Sequence, residues 1–228
     1  MTNAAAGRVA AIIPAAGSGV RLGTQIPKAF VELANMSLLK RSAIALGQLV
    51  DVIIVAAPEG YLEDAADEIV TVEVEKIVVV GGDDRQSSVA AALQAIPSDV
   101  DIVLVHDAAR PLVPYRVIED VVLAIRAGAK GVVPVLPIAD TIKRVDSAGR
   151  IIETIDRDSL RRVQTPQGFQ RQVLDQVHSD PTHSATDDAG LLEAAGFVVT
   201  TVAGDERALK ITTMDDIQHA LSFLEETL

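Results

Sequence analysis

The chain has no cysteine and no tryptophan, and only two tyrosines and four phenylalanines. Without cysteine there can be no disulfide and no thiolate metal site, which fits a reducing, cytoplasmic compartment. With aromatics at 3%, the core has to be built from Ala, Val, Ile and Leu. Long apolar runs are also missing. None approaches the roughly 20 residues of a membrane span, so no membrane role is expected. The opening residues MTNAAAGRVA lack a charged region followed by an apolar one, and no signal peptide is expected. Positive charge is scarce: 20 Lys and Arg against 32 Asp and Glu leave a net charge of −12. That excludes general nucleic-acid binding, which needs a basic face. A phosphate ligand is still admissible, because charges beyond about 8 Å are largely screened at physiological salt and a few local cations decide the outcome.

What is present is an ordinary globular composition, with 49% apolar and 23% charged residues in 228. This is enough for a single domain, residues 1–228, with a substantial core. Short runs rich in Val and Ile occur at 9–16, 52–57, 76–82, 101–107 and 131–137. Continuous runs of this kind suit strands buried on both faces, as in a parallel sheet. Between them, 37–49, 86–96 and 115–126 carry apolar residues at helical spacing. The alternation predicts an α/β fold, Rossmann-like and doubly wound, with a mainly parallel sheet and helices on both faces. After residue 138 the rhythm changes. Residues 140–157 are polar with a turn signal at Asp146–Gly149, and read either as a surface hairpin or as a projecting dimerisation arm spanning 138–160. A helix at 186–196, a strand at 197–204 and an amphipathic helix at the end of the chain complete the expected elements.

Three stretches could carry chemistry. The first, "PAAGSGVRLGTQIPKAF" at 14–30, follows the first strand, where α/β sheets bind ligands. It is not a Walker A loop, because Lys28 is neither preceded by Gly nor followed by Ser or Thr. It also misses the dinucleotide fingerprint, with Leu22 at the third glycine position. Gly17 and Gly19 can still expose N–H groups as an anion nest, and Arg21 and Lys28 add a fork and a point charge. The second stretch, "GGDDRQSSV" at 81–89, leads from a strand into a helix N-terminus. There Asp83 or Asp84 is an N-cap or a ligand contact. In the third, "VLVHDAARPL" at 103–112, a desolvated Asp107 requires a cation. Either Arg110 alone supplies it, or Mg²⁺ on ligand phosphates does. The histidines at 106, 178, 183 and 219 show no metal-ligand spacing, and no Ser-His-Asp triad is apparent.

Taken together and in order, "PAAGSGVRLGTQIPKAF", "GGDDRQSSV", "VHDAARP", "VPVLPIADTIK", "TIDR", "QTPQGF", "TDDAG" and "LKITT" resemble the 2-C-methyl-D-erythritol 4-phosphate cytidylyltransferase family of the non-mevalonate isoprenoid pathway. The resemblance implies transfer of a cytidylyl group from CTP to a small polyol phosphate, with release of pyrophosphate and Mg²⁺ as the cation. It implies catalytic roles for Arg21, Lys28 and Lys210. The CTP site would be lined by Pro14, Ala15, Ala16, Gly17, Gly19, Gly82, Asp83, Ser88, Asp107 and Ala108, with Asp107 also at the metal. Arg110, Thr141 and Arg157 would hold the sugar phosphate. Arg157 would reach the neighbouring subunit's site from the arm, which implies a homodimer. The rival readings are a ribitol 5-phosphate cytidylyltransferase, a nicotinamide-dependent oxidoreductase suggested by the glycine loop, and a catalytically silent nucleotide-binding protein.

Overall fold

The computed structural model describes residues 7–17, 22–24, 26–180, 182 and 184–225. In chain order the strands begin with β1 (Arg8–Pro14), the short ribbon β2 (Glu32–Leu33) and β3 (Met36–Ser37), then β4 (Val52–Ala57), β5 (Glu75–Val80), β6 (Val100–Val105) and β7 (Gly131–Pro137). They continue with β8 (Ile142–Val145), β9 (Ile151–Ile155), β10 (Arg161–Val163), β11 (Gln167–Gln170) and β12 (Val199–Ala203). The helices are α1 (Leu38–Gly47), α2 (Leu62–Ile69), α3 (Arg85–Gln94), α4 (Tyr115–Arg126), α5 (Arg171–Ser179), α6 (Asp188–Ala194) and α7 (Met214–Glu225).

The main sheet has the order β10-β7-β11-β6-β1-β4-β5, with β12 pairing β7. Strands β1, β4, β5 and β6 are parallel to their neighbours in this group, and β12 is parallel to β7. Both faces are covered, which is why the central strands need unbroken apolar runs. Along β1, Val9, Ala11 and Ile13 enter one core with residues of α1, α2 and α4. Ala10 and Ile12 enter the other with residues of α3, α5 and α6. Each fully buried Val or Ile there contributes on the order of 1.5–3 kcal/mol. A third, smaller cluster packs α7 through Ile217 and Ala220 onto Leu22, Leu33, Leu38 and Ile211.

The expected α/β architecture with a mainly parallel sheet is the one observed. The departure lies in the middle of the sheet. Strands β6 and β7 are consecutive Val-rich runs, yet β11 lies between them and is antiparallel to both. The sequence reading assigned no strand to "QGFQ", which carries a single large apolar residue, Phe169, fully buried. It also passed over α2, eight residues in an acidic stretch, and α5, which follows β11 without an intervening turn. The hairpin is present: β8 and β9 pair only with each other. Its turn is held by Asp146, which accepts from the N–H groups of Ala148 and Arg150, with Gly149 at φ +79.

Gly168 of β11 is the point where this inserted strand meets α4. A Cβ there would stand 2.4 Å from Val121 Cγ1 and 3.3 Å from Leu104 Cδ2, both on fully buried side chains. Gly168→Ala should therefore destabilise the fold by about 1–3 kcal/mol through overpacking. In urea unfolding this appears as a lower midpoint with an unchanged slope.

Candidate active site

A cleft of about 380 Å³ opens beyond the carboxyl ends of β1, β5 and β6 and is lined by Pro14–Gly17, Lys28, Ala29, Gly82–Arg85, Ser88, Asp107–Ala109 and Lys210. Its first wall continues β1. Ala15 N–H donates to Ala56 O at 2.8 Å, extending the strand ladder by one residue. The chain then leaves the sheet at Ala16 and Gly17. It returns where Lys28 N–H donates to Gly17 O at 3.1 Å, and this contact brings Lys28 back to the tip of β1. Pro27 precedes a short 3-10 turn, Lys28–Phe30, whose Ala29 is buried. Gly19 and Arg21 lie outside the described residues.

The second wall is the β5–α3 junction. Gly81 N–H donates to Ala57 O at 2.7 Å. The next residue cannot carry a side chain: a Cβ on Gly82 would be 2.3 Å from Ser87 Oγ and 2.5 Å from Ser87 Cβ. Asp84, not Asp83, caps α3. It accepts from Ser87 N–H at 2.7 Å, and its own N–H donates to Ser87 Oγ at 3.1 Å, completing a capping box. Asp83 is thereby left exposed at the cleft. Ser88 Oγ accepts from Gly82 N–H at 3.1 Å and donates to Asp84 O at 2.7 Å, so its hydroxyl fixes the shape of this wall.

The third wall carries most of the charge. Asp107 follows β6 with its side chain 14% exposed. Lys210 Nζ lies 2.8 Å from Oδ2, Arg85 Nε 3.4 Å from Oδ1, and Arg110 Nε 4.0 Å from Oδ2. Burial alone would raise the Asp107 carboxyl, but Lys210 and Arg85 overcome it and hold the group well below the usual carboxylate range. The Lys210 segment is seated by Ile211 N–H donating to Ala109 O at 2.8 Å. Ser42 Oγ of α1 donates to Ala108 O at 3.1 Å beneath the same turn.

Of the residues proposed for the sugar phosphate, none lines this cleft. Arg110 is largely buried and donates to Ala208 O at 2.7 Å and Val163 O at 3.2 Å, tying β10 to the segment before Lys210. Thr141 is exposed at the base of the hairpin, and Arg157 is exposed and donates to Ala139 O. Two charged residues that the sequence reading left without a role stand beside the cleft. Arg85 joins Asp107 to Asp188, with Nη1 2.6 Å from Asp188 Oδ2. Asp188 is fully buried. Both lie in stretches already singled out, "GGDDRQSSV" and "TDDAG", but a partnership between positions 85 and 188 leaves no local pattern. Among the described residues no three His, Asp, Glu or Cys side chains cluster as a metal site, and no helix is long and apolar enough to cross a membrane.

A family model described as 2-C-methyl-D-erythritol 4-phosphate cytidylyltransferase matches residues 9–226. Relatives of that name from Saccharopolyspora erythraea and Frankia casuarinae are 48% and 47% identical to this chain. Each match covers 95% of the chain, with 99% and 81% of the respective relative. The crystal structure of the enzyme of the same name from Thermus thermophilus superposes with a TM-score of 0.80 at 33% identity, covering 96% of this chain and 99% of that one. A 4-diphosphocytidyl-2C-methyl-D-erythritol synthase from Anaerococcus prevotii gives 0.83 at 26% identity, with 96% and 99% coverage.

His106, at the end of β6, supports the Asp107 turn from below and is fully buried. Its hydrogen bonds fix one neutral tautomer. The Arg110 carbonyl oxygen can only accept, so it draws the ring proton, and Nδ1 accepts from the Thr165 hydroxyl at 3.1 Å, whose oxygen takes Asp107 N–H at 3.0 Å. The ring proton then sits on Nε2, 3.2 Å from Arg110 O. Burial pushes the imidazole down from 6.5 to about 4. Between these values the unfolded chain binds a proton that the folded chain refuses, so stability falls as the pH drops through that window. The slope has an upper limit of about 1.4 kcal/mol per pH unit. Denaturant unfolding between pH 7 and 4 should show this loss, and His106→Gln should flatten it. The carboxylates with depressed values, Asp107 and Asp188, contribute stability that is present above the ordinary carboxylate range and lost only below it.

Proposed function

The chain belongs to the 2-C-methyl-D-erythritol 4-phosphate cytidylyltransferase family, and we propose that its cleft joins CTP to 2-C-methyl-D-erythritol 4-phosphate, giving the CDP-linked methylerythritol and pyrophosphate. The observation that carries this reading is the meeting of Lys28, Lys210 and Asp107, from three distant parts of the chain, on one cleft at the strand ends. In the reaction, an oxygen of the polyol's phosphate bonds to the α-phosphorus of CTP. The bond from that phosphorus to the bridging oxygen breaks, and its electron pair leaves with pyrophosphate.

No protein nucleophile is required, and the work left to the protein is positioning and charge stabilisation. Phosphate monoesters carry roughly −1.5 to −2 charges at neutral pH, so two polyanions must be brought together. Lys28 supports this reading by standing at the tip of β1, where an ammonium meets negative charge as it develops. Arg21 would act beside it. Ala15, Ala16 and Gly82 leave room for a flat base, and the Asp83 carboxylate is an acceptor for the amino group that distinguishes cytosine from uracil. Lys210 and Asp107 would shift from each other to the ligand's phosphates and ribose. One carboxylate completed by phosphate oxygens is a donor set that suits Mg²⁺. Asp107 would hold that ion, which supplies neutralisation of phosphate charge when bound. Thr141 and Arg157 belong to the second substrate in this reading. They lie on the hairpin arm, whose Val145, Ile151 and Ile152 are exposed, and the arm fits a homodimer in which Arg157 completes the neighbour's site. A cytoplasmic location accords with a chain free of cysteine.

The test is pyrophosphate release with each of four nucleoside triphosphates, methylerythritol phosphate and Mg²⁺, with ribitol 5-phosphate as the competing acceptor. Turnover should require CTP and prefer the methylerythritol ester; equal or better use of ribitol 5-phosphate would reassign the acceptor. In the same assay, Lys28→Ala should lower kcat roughly a hundredfold or more while CTP binding weakens much less, because the contact strengthens in the transition state. Mixing Lys28→Ala with Arg157→Ala, each inactive alone, should restore part of the activity through heterodimers. Verified subunit exchange without recovery would rule out shared sites.

A further inference from the structure

Behind the cleft runs a chain of polar and charged side chains that the reaction chemistry does not itself call for. His178 of α5 has Nε2 2.9 Å from Asp188 Oδ1. Asp188 Oδ2 is 2.6 Å from Arg85 Nη1, and Arg85 Nε is 3.4 Å from Asp107 Oδ1. Only the last two residues line the cleft. Asp188 is fully buried and His178 nearly so, and a buried carboxylate without compensation is strongly unfavourable. An ionised carboxylate can only accept, so the proton of the His178 contact sits on Nε2. Burial would raise Asp188, yet His178 and Arg85 together lower it, so the group is charged at neutral pH.

The position of Asp188 is set by more than its own ion pair. The preceding residue, Asp187, caps α6 by accepting from Gly190 N–H at 3.0 Å and receives Gln167 Nε2 at 2.6 Å. Gln167 Oε1 in turn accepts from Ala189 N–H at 3.2 Å. The inserted strand β11 therefore holds the turn that presents Asp188. The Arg85 guanidinium is clamped through Nη1 and Nε, and its buried Nη2 has no partner among the described residues. A buried donor left unpaired is costly, in a side chain that forms part of the cleft wall.

We propose that Asp188 is a positioning residue for the nucleotide: braced by His178 and Gln167, it holds the Arg85 guanidinium in the cleft wall, so that its charge faces CTP. It also holds Arg85 back from full pairing with Asp107. The nucleotide never touches Asp188, which acts through Arg85 alone. This rests on the reading of the cleft as a CTP site.

Calorimetric titration of CTP with Mg²⁺, without the polyol phosphate, separates binding from turnover. Arg85→Gln and Asp188→Asn should each weaken CTP binding about tenfold, the scale of one lost charge-assisted hydrogen bond. The double variant should be no weaker than Arg85→Gln alone, since Asp188 then has no guanidinium to direct. At saturating CTP, kcat should be nearly unchanged in Asp188→Asn. If that single variant fails to fold because Arg85 is stranded, the double variant, which removes both charges, still gives the comparison with Arg85→Gln. An added loss in the double variant, or wild-type affinity in Arg85→Gln, would overturn the role of Asp188. A wild-type protein that does not bind CTP would overturn the functional reading and this one with it.

Discussion

The Asp107 carboxylate is the constraint around which the end of the sheet is arranged. It is mostly withdrawn from water and carries full charge, so the chain must supply cations to it from elsewhere. Lys210 arrives from the segment before α7, Arg85 from the first turn of α3, and Arg110 from the turn that follows Asp107 itself. Each of these is fastened to a different part of the frame: Lys210 through Ile211 to Ala109, Arg85 to Asp188, and Arg110 to the carbonyls of Val163 and Ala208. One desolvated charge thus ties together segments that the sequence keeps far apart. Pairs of this kind give little net stability against an apolar replacement, but breaking one is severe.

The same arrangement explains how an acidic protein holds an acidic ligand. The net charge is −12, yet the cleft gathers Lys28, Arg85 and Lys210 within one small volume. Asp83, Asp84 and Asp107 line the same cleft, so its formal charge is balanced where the chain as a whole is acidic, and surface carboxylates beyond about 8 Å are largely screened. Small residues after β1 and β5, Ala15, Ala16, Gly17 and Gly82, line the cleft and leave it open.

Much of this was legible in the sequence because it is written locally. A strand buried on both faces leaves a continuous run of Val and Ile, and all five such runs became strands of the main sheet. The glycine loop at 14–17, the Gly82–Ser88 junction and Asp107 at a strand end were readable for the same reason: each follows an apolar run directly. What was not legible depends on distance in sequence. Strand β11 shows one large apolar residue and pairs with strands 36–38 and 62–68 residues earlier by its registers, an outcome of tertiary competition rather than local propensity. The bond between Arg85 and Asp188 has no signature at either position. The anchoring of Arg110 was illegible for the same reason: beside Asp107 it also holds the carbonyls of Val163 and Ala208, 53 and 98 residues away.

The insertion of β11 between β6 and β7 also bears on the order in which the molecule can be made. As the chain leaves the ribosome, β1, β4, β5 and β6 are all available by residue 105, and they are mutual neighbours. The free edge of β6 must then wait while α4, β7 and the whole hairpin are synthesised, until residues 167–170 arrive to close it. Thr165, which steadies the Asp107 turn, comes with that strand; Asp188 and Lys210 come later still. A nascent or truncated chain can therefore assemble half a sheet, with Arg85 and Arg110 available to Asp107 but without Lys210, the cation that lies nearest to it. Such long-range closure is slow compared with local folding. The binding cleft closes only after β11, α6 and the Lys210 segment have all been added, so the ability to grip a triphosphate reports that distant parts of this fold have met.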